Sequence, residues 1–112
     1  MKMVIAIVRP EKLDPVKDVL TRLGVRGMTV SQVMGFGSQL GWKEVYRGSQ
    51  SAVKFLPKIK LEVVVADELL DKVVQVIIAA ARTGEIGDGK IFTCPVANAF
   101  RIRTGESGGT AI

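Results

Sequence analysis

Ile59-Lys60-Leu61-Glu62-Val63-Val64-Val65-Ala66-Asp67-Glu68-Leu69-Leu70-Asp71-Lys72-Val73-Val74-Gln75-Val76-Ile77-Ile78-Ala79-Ala80-Ala81 changes its period half-way along. In the first part Ile59, Leu61, Val63 and Val65 alternate with Lys60, Glu62 and Val64, which predicts a strand. Beyond it Leu70, Val73, Val74, Ile77 and Ala81 form one apolar helical stripe. Asp67 stands where an N-cap is expected. The segment therefore predicts a strand feeding directly into an amphipathic helix.

The same pair occurs at the N-terminus. Met3 to Val8 is a continuous apolar run, as in a strand buried on both faces. Asp14 is expected to cap a helix, with Pro15 at its first position. Val16, Val19, Leu20 and Leu23 share one face of that helix, and Gly24 supplies a stop. Met28 to Phe36 predicts a second strand, made more polar by Thr29, Ser31 and Gln32, as suits a sheet edge. Ile91 to Phe100 predicts a fourth, and Pro95, which lacks a donor N–H, marks it as an edge too. The order β-α-β-β-α-β is the split βαβ, or ferredoxin-like, pattern. Right-handed crossovers place strands 1 and 3 at the centre. The expected architecture is an α+β sandwich over residues 1–112, with helices on one sheet face. Strands 1 and 3 are too apolar to leave the other face in water, so an oligomer is expected.

The 112 residues suit one domain, with 47% apolar and 24% charged residues. The chain has no histidine and one cysteine, Cys94, which reads as a small inert strand residue. The commonest general base and transition-metal ligand is therefore missing, and no nucleophile, base and oxyanion set can be assembled. A lone cysteine favours a reducing compartment. The apolar start is too short for a signal peptide, and no stretch approaches the roughly 20 apolar residues of a membrane span. A cytoplasmic location is expected. The net charge of +5 is scattered and aromatic residues make up only 5%, so no nucleic acid is expected as a partner. Small anions fit better. An RNA-binding sheet would need exposed aromatics, and the strands supply only Phe36, Phe92 and Phe100.

Residues 37–55 break the pattern, with Gly37, Gly41 and Gly48 among polar residues; so long a loop is usually functional or mobile. Gly35-Phe36-Gly37 ends strand 2, and Gly87-Asp88-Gly89-Lys90 leads into strand 4. Glycines let backbone N–H groups converge on an anion, and Lys90 adds charge. Alone, neither turn distinguishes an anion site from an ordinary turn. Alternation along a continued strand 4 would put the guanidiniums of Arg101 and Arg103 on one side, suited to phosphate or merely to solvent. The tail 101–112 is polar and glycine-rich and is expected to be flexible when unbound.

Several stretches together resemble the nitrogen-regulatory PII signal-transduction family at its own spacing. They are Gly27-Met28-Thr29-Val30-Ser31, Gly35-Phe36-Gly37, Tyr46-Arg47-Gly48-Ser49, Phe55-Leu56-Pro57-Lys58, Arg82 to Phe92, and Arg101-Ile102-Arg103-Thr104-Gly105-Glu106. The resemblance implies a compact homotrimer that senses ATP or ADP and 2-oxoglutarate, with nucleotide in the clefts between subunits. It implies no enzymatic activity beyond slow incidental ATP hydrolysis. Nucleotide contacts fall on Ile7, Thr29, Gly35, Phe36, Gly37, Ser38, Gln39, Glu62, Val64, Thr83, Gly87, Asp88, Gly89, Lys90, Arg101 and Arg103. Gln39, Leu40, Gly41, Lys58 and Gly87 would hold 2-oxoglutarate, and Gln39 would also coordinate Mg²⁺. The T-loop, 37–55, would dock an ammonium transporter or nitrogen-assimilation enzymes through Tyr46, Arg47 and Gly48. The glycine-rich B-loop is 82–90 and the C-terminal loop 101–112. A membrane would be met only through a transporter partner. A lysine such as Lys58 suits a dicarboxylate, and a metal held by phosphates and one amide oxygen suits Mg²⁺.

Four positions depart from the family, which often has arginine at Ser38, lysine at Leu40, phenylalanine at Glu11 and tyrosine at Ser51. The last is a nucleotidylation target in many relatives, so that modification is not expected here. Ser49 resembles a serine phosphorylated in cyanobacterial members. The alternative is a regulator of the same superfamily that acts in another transport or carbon-metabolism process, with adenine nucleotide and a different effector. A metal-tolerance trimer is disfavoured by the missing histidines.

Overall fold

The computed structural model describes residues 1–36 and 54–112. Among these residues the chain forms four strands and two helices. They are β1 (Lys2–Val8), α1 (Leu13–Arg22), β2 (Thr29–Gly35), β3 (Leu56–Val65), α2 (Leu70–Ala81) and β4 (Lys90–Pro95). The sheet order is β2-β3-β1-β4 and every pairing is antiparallel. The apolar strands β1 and β3 hold the centre and the two more polar ones the edges, as expected for an α+β chain of the order βαββαβ.

Alternation along the central strands sorts their side chains cleanly. Val4, Ala6 and Val8 of β1 and Ile59, Leu61, Val63 and Val65 of β3 are buried. They pack with Val16 and Leu20 of α1 and Val73, Ile77 and Ala81 of α2 into one core. These helix residues recur at three- and four-residue intervals, so each helix turns a single stripe to the sheet. The C-terminus of α1 is closed by a Schellman motif: Val25 N donates to Leu20 O at 3.0 Å and Gly24 N to Thr21 O at 3.0 Å. Val25 and Leu20, which such a motif sets near each other, both belong to the buried core.

Two expectations are corrected. Asp14 and Asp67 do not cap the helices. Each helix is entered through a 3₁₀ turn, Pro10–Lys12 and Asp67–Leu69. Asp14 and Pro15 thus lie inside the first turn of α1, where a missing N–H costs nothing. The Asp67 carboxylate instead accepts from the N-terminal amine at 2.9 Å, and this bond, with the nearby charge of Lys2, lowers its pKa. Next, β4 stops at Pro95 rather than Phe100, because β1 ends there. Pro95 faces Lys2, and Val96 N donates to Met1 O at 3.1 Å, the last pairing β1 offers. Phe100 returns only as an isolated bridge to Ser107. The tail folds back on itself: Arg101 N donates to Glu106 O at 2.8 Å and Gly108 N to Ala99 O at 3.0 Å. A short 3₁₀ turn, Gly108–Ala111, ends it.

No helix among the described residues is long and apolar enough to cross a membrane. The sheet face away from the helices carries Met3, Ile5, Ile7 and Val64, all half-buried, and Phe92, which is 52% exposed.

Candidate functional site

Cross-strand neighbours point to the same side of a sheet, so the register maps the helix-free face directly. One row reads Thr29–Glu62–Ile5–Phe92 and the next Ser31–Lys60–Ile7–Lys90. Charged and apolar groups are therefore interleaved across one surface. Lys58, two residues back along β3, adds a third cation to its edge.

The segment between α2 and β4 overhangs this edge. One carboxylate organises it. Asp88 Oδ2 accepts from Thr83 N at 2.8 Å and Gly84 N at 2.9 Å. Its Oδ1 accepts from the Thr83 hydroxyl and from Arg9 Nε, the latter at 3.1 Å. The Thr83 hydroxyl, then the Thr83 amide, and to a smaller extent the Gly84 amide and Arg9, hold this carboxyl well below the usual carboxylate range; partial burial opposes them. Glu85 N donates to Thr83 Oγ1 at 3.1 Å, which tightens the same turn.

The loop runs close to the sheet. Gly87 and Gly89 have φ of +103° and +104°, a region side chains rarely adopt. A Cβ on Gly89 would also overlap the Ile7 carbonyl. Glycine is required there by space as well as by backbone angle. Lys58 Nζ donates to Gly87 O at 2.6 Å and so ties β3 to the loop.

Ile7, Gly35, Phe36, Lys58, Gly87, Asp88, Gly89 and Lys90 line one cleft of about 460 Å³, together with Glu85 and Phe92. Eight of the residues expected at a ligand site are thus neighbours. Thr29, Glu62 and Val64 line a different, larger concavity of about 960 Å³, near Gly109 and Ile112. Thr83 serves Asp88. Arg101 and Arg103 line neither space. Because β4 ends early, both lie in the folded tail rather than on one side of a strand. The Arg101 guanidinium donates to Glu106 Oε1 and to Thr110 O, each at 3.2 Å. Gly37, Ser38, Gln39, Leu40, Gly41, Tyr46, Arg47, Gly48 and Ser49 fall outside the described residues. On either side of that segment, Phe36 and Phe55 meet edge to face with centroids 5.0 Å apart.

The arrangement suits an anion. Lys58 and Lys90 provide charge, and the glycine-rich loop lies open to approach by a ligand. The Asp88 carboxylate is committed to the loop itself, so only its backbone could face an anion without repulsion. Among the described residues no group of three or more acidic or sulfur side chains could hold a metal. Arg9 escaped the sequence reading. Its signal was slight: a cation ending an apolar strand, followed by Pro10.

Known proteins resemble this chain along its whole length. The family model described as Nitrogen regulatory protein P-II matches residues 1–106. Over 112 residues, covering all of both chains, the sequence is 60% identical to the Nitrogen regulatory protein P-II of Nostoc punctiforme. It is 53% identical to the proteins of that name from Rhizobium etli and Azospirillum brasilense, again over the whole of both chains. The crystal structure of Arabidopsis thaliana PII bound to citrate superposes with a TM-score of 0.82 at 44% identity, covering 99% of this chain and 91% of that one. With matching sequence, fold and extent, the chain belongs to the nitrogen regulatory protein P-II family.

Proposed function

We propose that this P-II family member is a cytoplasmic signal protein that senses ATP or ADP together with 2-oxoglutarate. It passes the result to nitrogen-metabolism targets through residues 37–55. The observation that carries the reading is the cleft in which Lys58, Lys90 and the Gly87–Gly89 turn converge. Two ammonium groups beside a turn that carries no side chain at Gly87 or Gly89 fit phosphate oxygens. The citrate on the Arabidopsis relative is a small polycarboxylate, and 2-oxoglutarate belongs to the same chemical class.

In this mechanism Lys90 and the backbone of Gly87 and Gly89 receive phosphates. Lys58 offers its remaining donors to a carboxylate, since an ammonium has three and one serves Gly87. Mg²⁺ would be held by Gln39 and the triphosphate, and would supply charge between the two ligands. Arg101 and Arg103 reach phosphate only from a neighbouring copy, so the site is completed in a homotrimer. The interleaved helix-free face of the sheet supplies the contact surface. Tyr46, Arg47 and Gly48 then meet an ammonium transporter or a nitrogen-assimilation enzyme, and Ser49 is the residue open to modification.

Calorimetry with ATP, ADP and 2-oxoglutarate, singly and in pairs with Mg²⁺, tests the reading. ATP is expected to bind alone and 2-oxoglutarate only with MgATP. Linkage then requires 2-oxoglutarate to tighten ATP by the same factor. Binding of 2-oxoglutarate to the apo or ADP form with equal strength would refute the coupling. A nucleotide response with no 2-oxoglutarate response would assign a different effector.

A further inference from the structure

Arg9 lies immediately after β1, with its side chain 24% exposed. It does not line the cleft that holds Lys58 and Lys90. Its two ends make different bonds. Nε donates to Asp88 Oδ1 at 3.1 Å, and Nη2 donates to the main-chain oxygen of Ile86 at 2.9 Å. One planar fork thus grips the loop on both sides of Gly87. The guanidinium also lies 3.3 Å from the point a Cβ of Gly87 would occupy, so it supports that residue from behind.

We propose that Arg9 is a positioning residue for the anion-binding loop: by clamping Ile86 and Asp88 together it fixes the Gly87 peptide between them. The inference rests on the nucleotide reading of this cleft. Without the clamp, Ile86 O loses its side-chain donor and Asp88 keeps only Thr83 and Gly84. The Gly87 peptide, whose oxygen receives Lys58, can then turn about its neighbours. Lysine cannot substitute, because a point charge cannot span both acceptors with fixed geometry. The Thr83 side chain acts on the same carboxylate but does not reach Ile86, so the two residues are not equivalent.

The test uses the full chain with Arg9→Gln, Arg9→Lys and Arg9→Ala, and Arg22→Gln as a control that removes an exposed charge from α1. Calorimetry reads ATP affinity, and amide hydrogen exchange at Thr83 and Gly84, whose N–H groups donate to Asp88, is read without nucleotide. Arg9→Gln is expected to weaken ATP about tenfold or more, the range of a lost charge-assisted hydrogen bond. Exchange at both amides is expected to quicken, while Arg22→Gln matches the parent. Arg9→Lys recovers only part of the affinity. Millimolar guanidinium chloride, but not sodium chloride, restores ATP binding to Arg9→Ala, an effect that a merely structural arginine would not produce. Parent-like affinity and exchange in Arg9→Gln would overturn the proposal. Should Arg9→Gln fold poorly, parent-like affinity in Arg9→Lys would overturn it equally. A parent that fails to bind ATP removes the nucleotide reading instead, and the exchange measurement then decides the role of Arg9: unchanged exchange overturns it, faster exchange supports it.

Discussion

Lys58 Nζ and the carbonyl oxygen of Gly87 lie 2.6 Å apart, a hydrogen bond that joins the start of β3 to the loop before β4. One lysine therefore both shapes the loop and charges the cleft. Lys58→Met keeps the stem and removes the donors. It is expected to lower 2-oxoglutarate affinity about tenfold or more, as for a hydrogen bond to a charged group. Thermal stability is expected to change little, because the ammonium is only partly buried. Calorimetry and a melting curve check both, and unchanged 2-oxoglutarate affinity would take Lys58 out of the site.

The acid response follows from Asp88. Its folded pKa lies below the ordinary value of 3.8, chiefly because the Thr83 hydroxyl and amide donate to it. A depressed carboxyl contributes stability that is fully present above its unfolded pKa and is lost as pH falls toward the folded value. Stability is thus expected to be flat near neutrality and to decline below about pH 4. Asp88→Asn removes this contribution and flattens that limb, while being less stable than the parent at pH 7. Denaturant melts across the acid range check it. A parallel displacement of the two curves would assign the acid limb to other carboxyls, Asp67 foremost.

How much of this was legible depends on the distance in sequence between partners. The step from period two to period 3.6 after Val65 announced β3 and α2, because both patterns are local. The polar β2 and the Pro95 strand were readable as edges for the same reason. The end of β4 was not, because alternation cannot see that β1 runs out opposite Pro95. Asp67 looked like a cap until the N-terminal amine, 66 residues earlier, was brought beside it. Arg9 and Asp88 are 79 residues apart, and no local pattern pairs them. The glycine turn and Lys58 were recovered through family motifs. Arg101 and Arg103 were assigned to one side of a strand that stops before reaching them.

The core gives a stability prediction. Leu20 is fully buried and receives the closing bond of the α1 terminus from Val25. Leu20→Ala opens a cavity against Val16, Val73 and Ile77 and is expected to cost about 2–5 kcal/mol. Denaturant unfolding at pH 7 measures it. A cost under about 1 kcal/mol would mean that the helices close over the gap rather than leaving it.

Self-association rests on the helix-free sheet face. Ile5 lies at its centre, between Glu62 on β3 and Phe92 on β4. Ile5→Lys puts a charge in the middle of the proposed contact while leaving the helix side untouched. Sedimentation is expected to give a trimer for the parent and a smaller species for the variant. Nucleotide affinity is expected to fall with it, because Arg101 and Arg103 would no longer be supplied across a subunit boundary. A variant that stays trimeric would move the interface to another face, and a monomeric parent that binds ATP at full strength would refute a shared site.

Phe36 and Phe55 form an edge-to-face pair although each ring is 56% exposed. Such a pair is worth about 0.5–1.5 kcal/mol beyond its buried area. Phe36 follows the end of β2 and Phe55 precedes β3, so the contact draws together the two ends of the segment between them. Gln39 lies three positions after Phe36, and Lys58 three positions after Phe55. Gln39 and Lys58, both expected at the 2-oxoglutarate site, thus follow the two rings at equal spacing in sequence. Opening the clasp with Phe55→Ala is expected to weaken 2-oxoglutarate about three- to tenfold, the affinity equivalent of the pair energy. ATP alone is expected to lose less, because Lys90 and the Gly87–Gly89 turn do not depend on the clasp although Phe36 lines the same cleft. Calorimetry with MgATP present and absent separates the two ligands. An equal loss of both would mean that Phe55 acts on the whole cleft rather than on the spacing of Gln39 and Lys58.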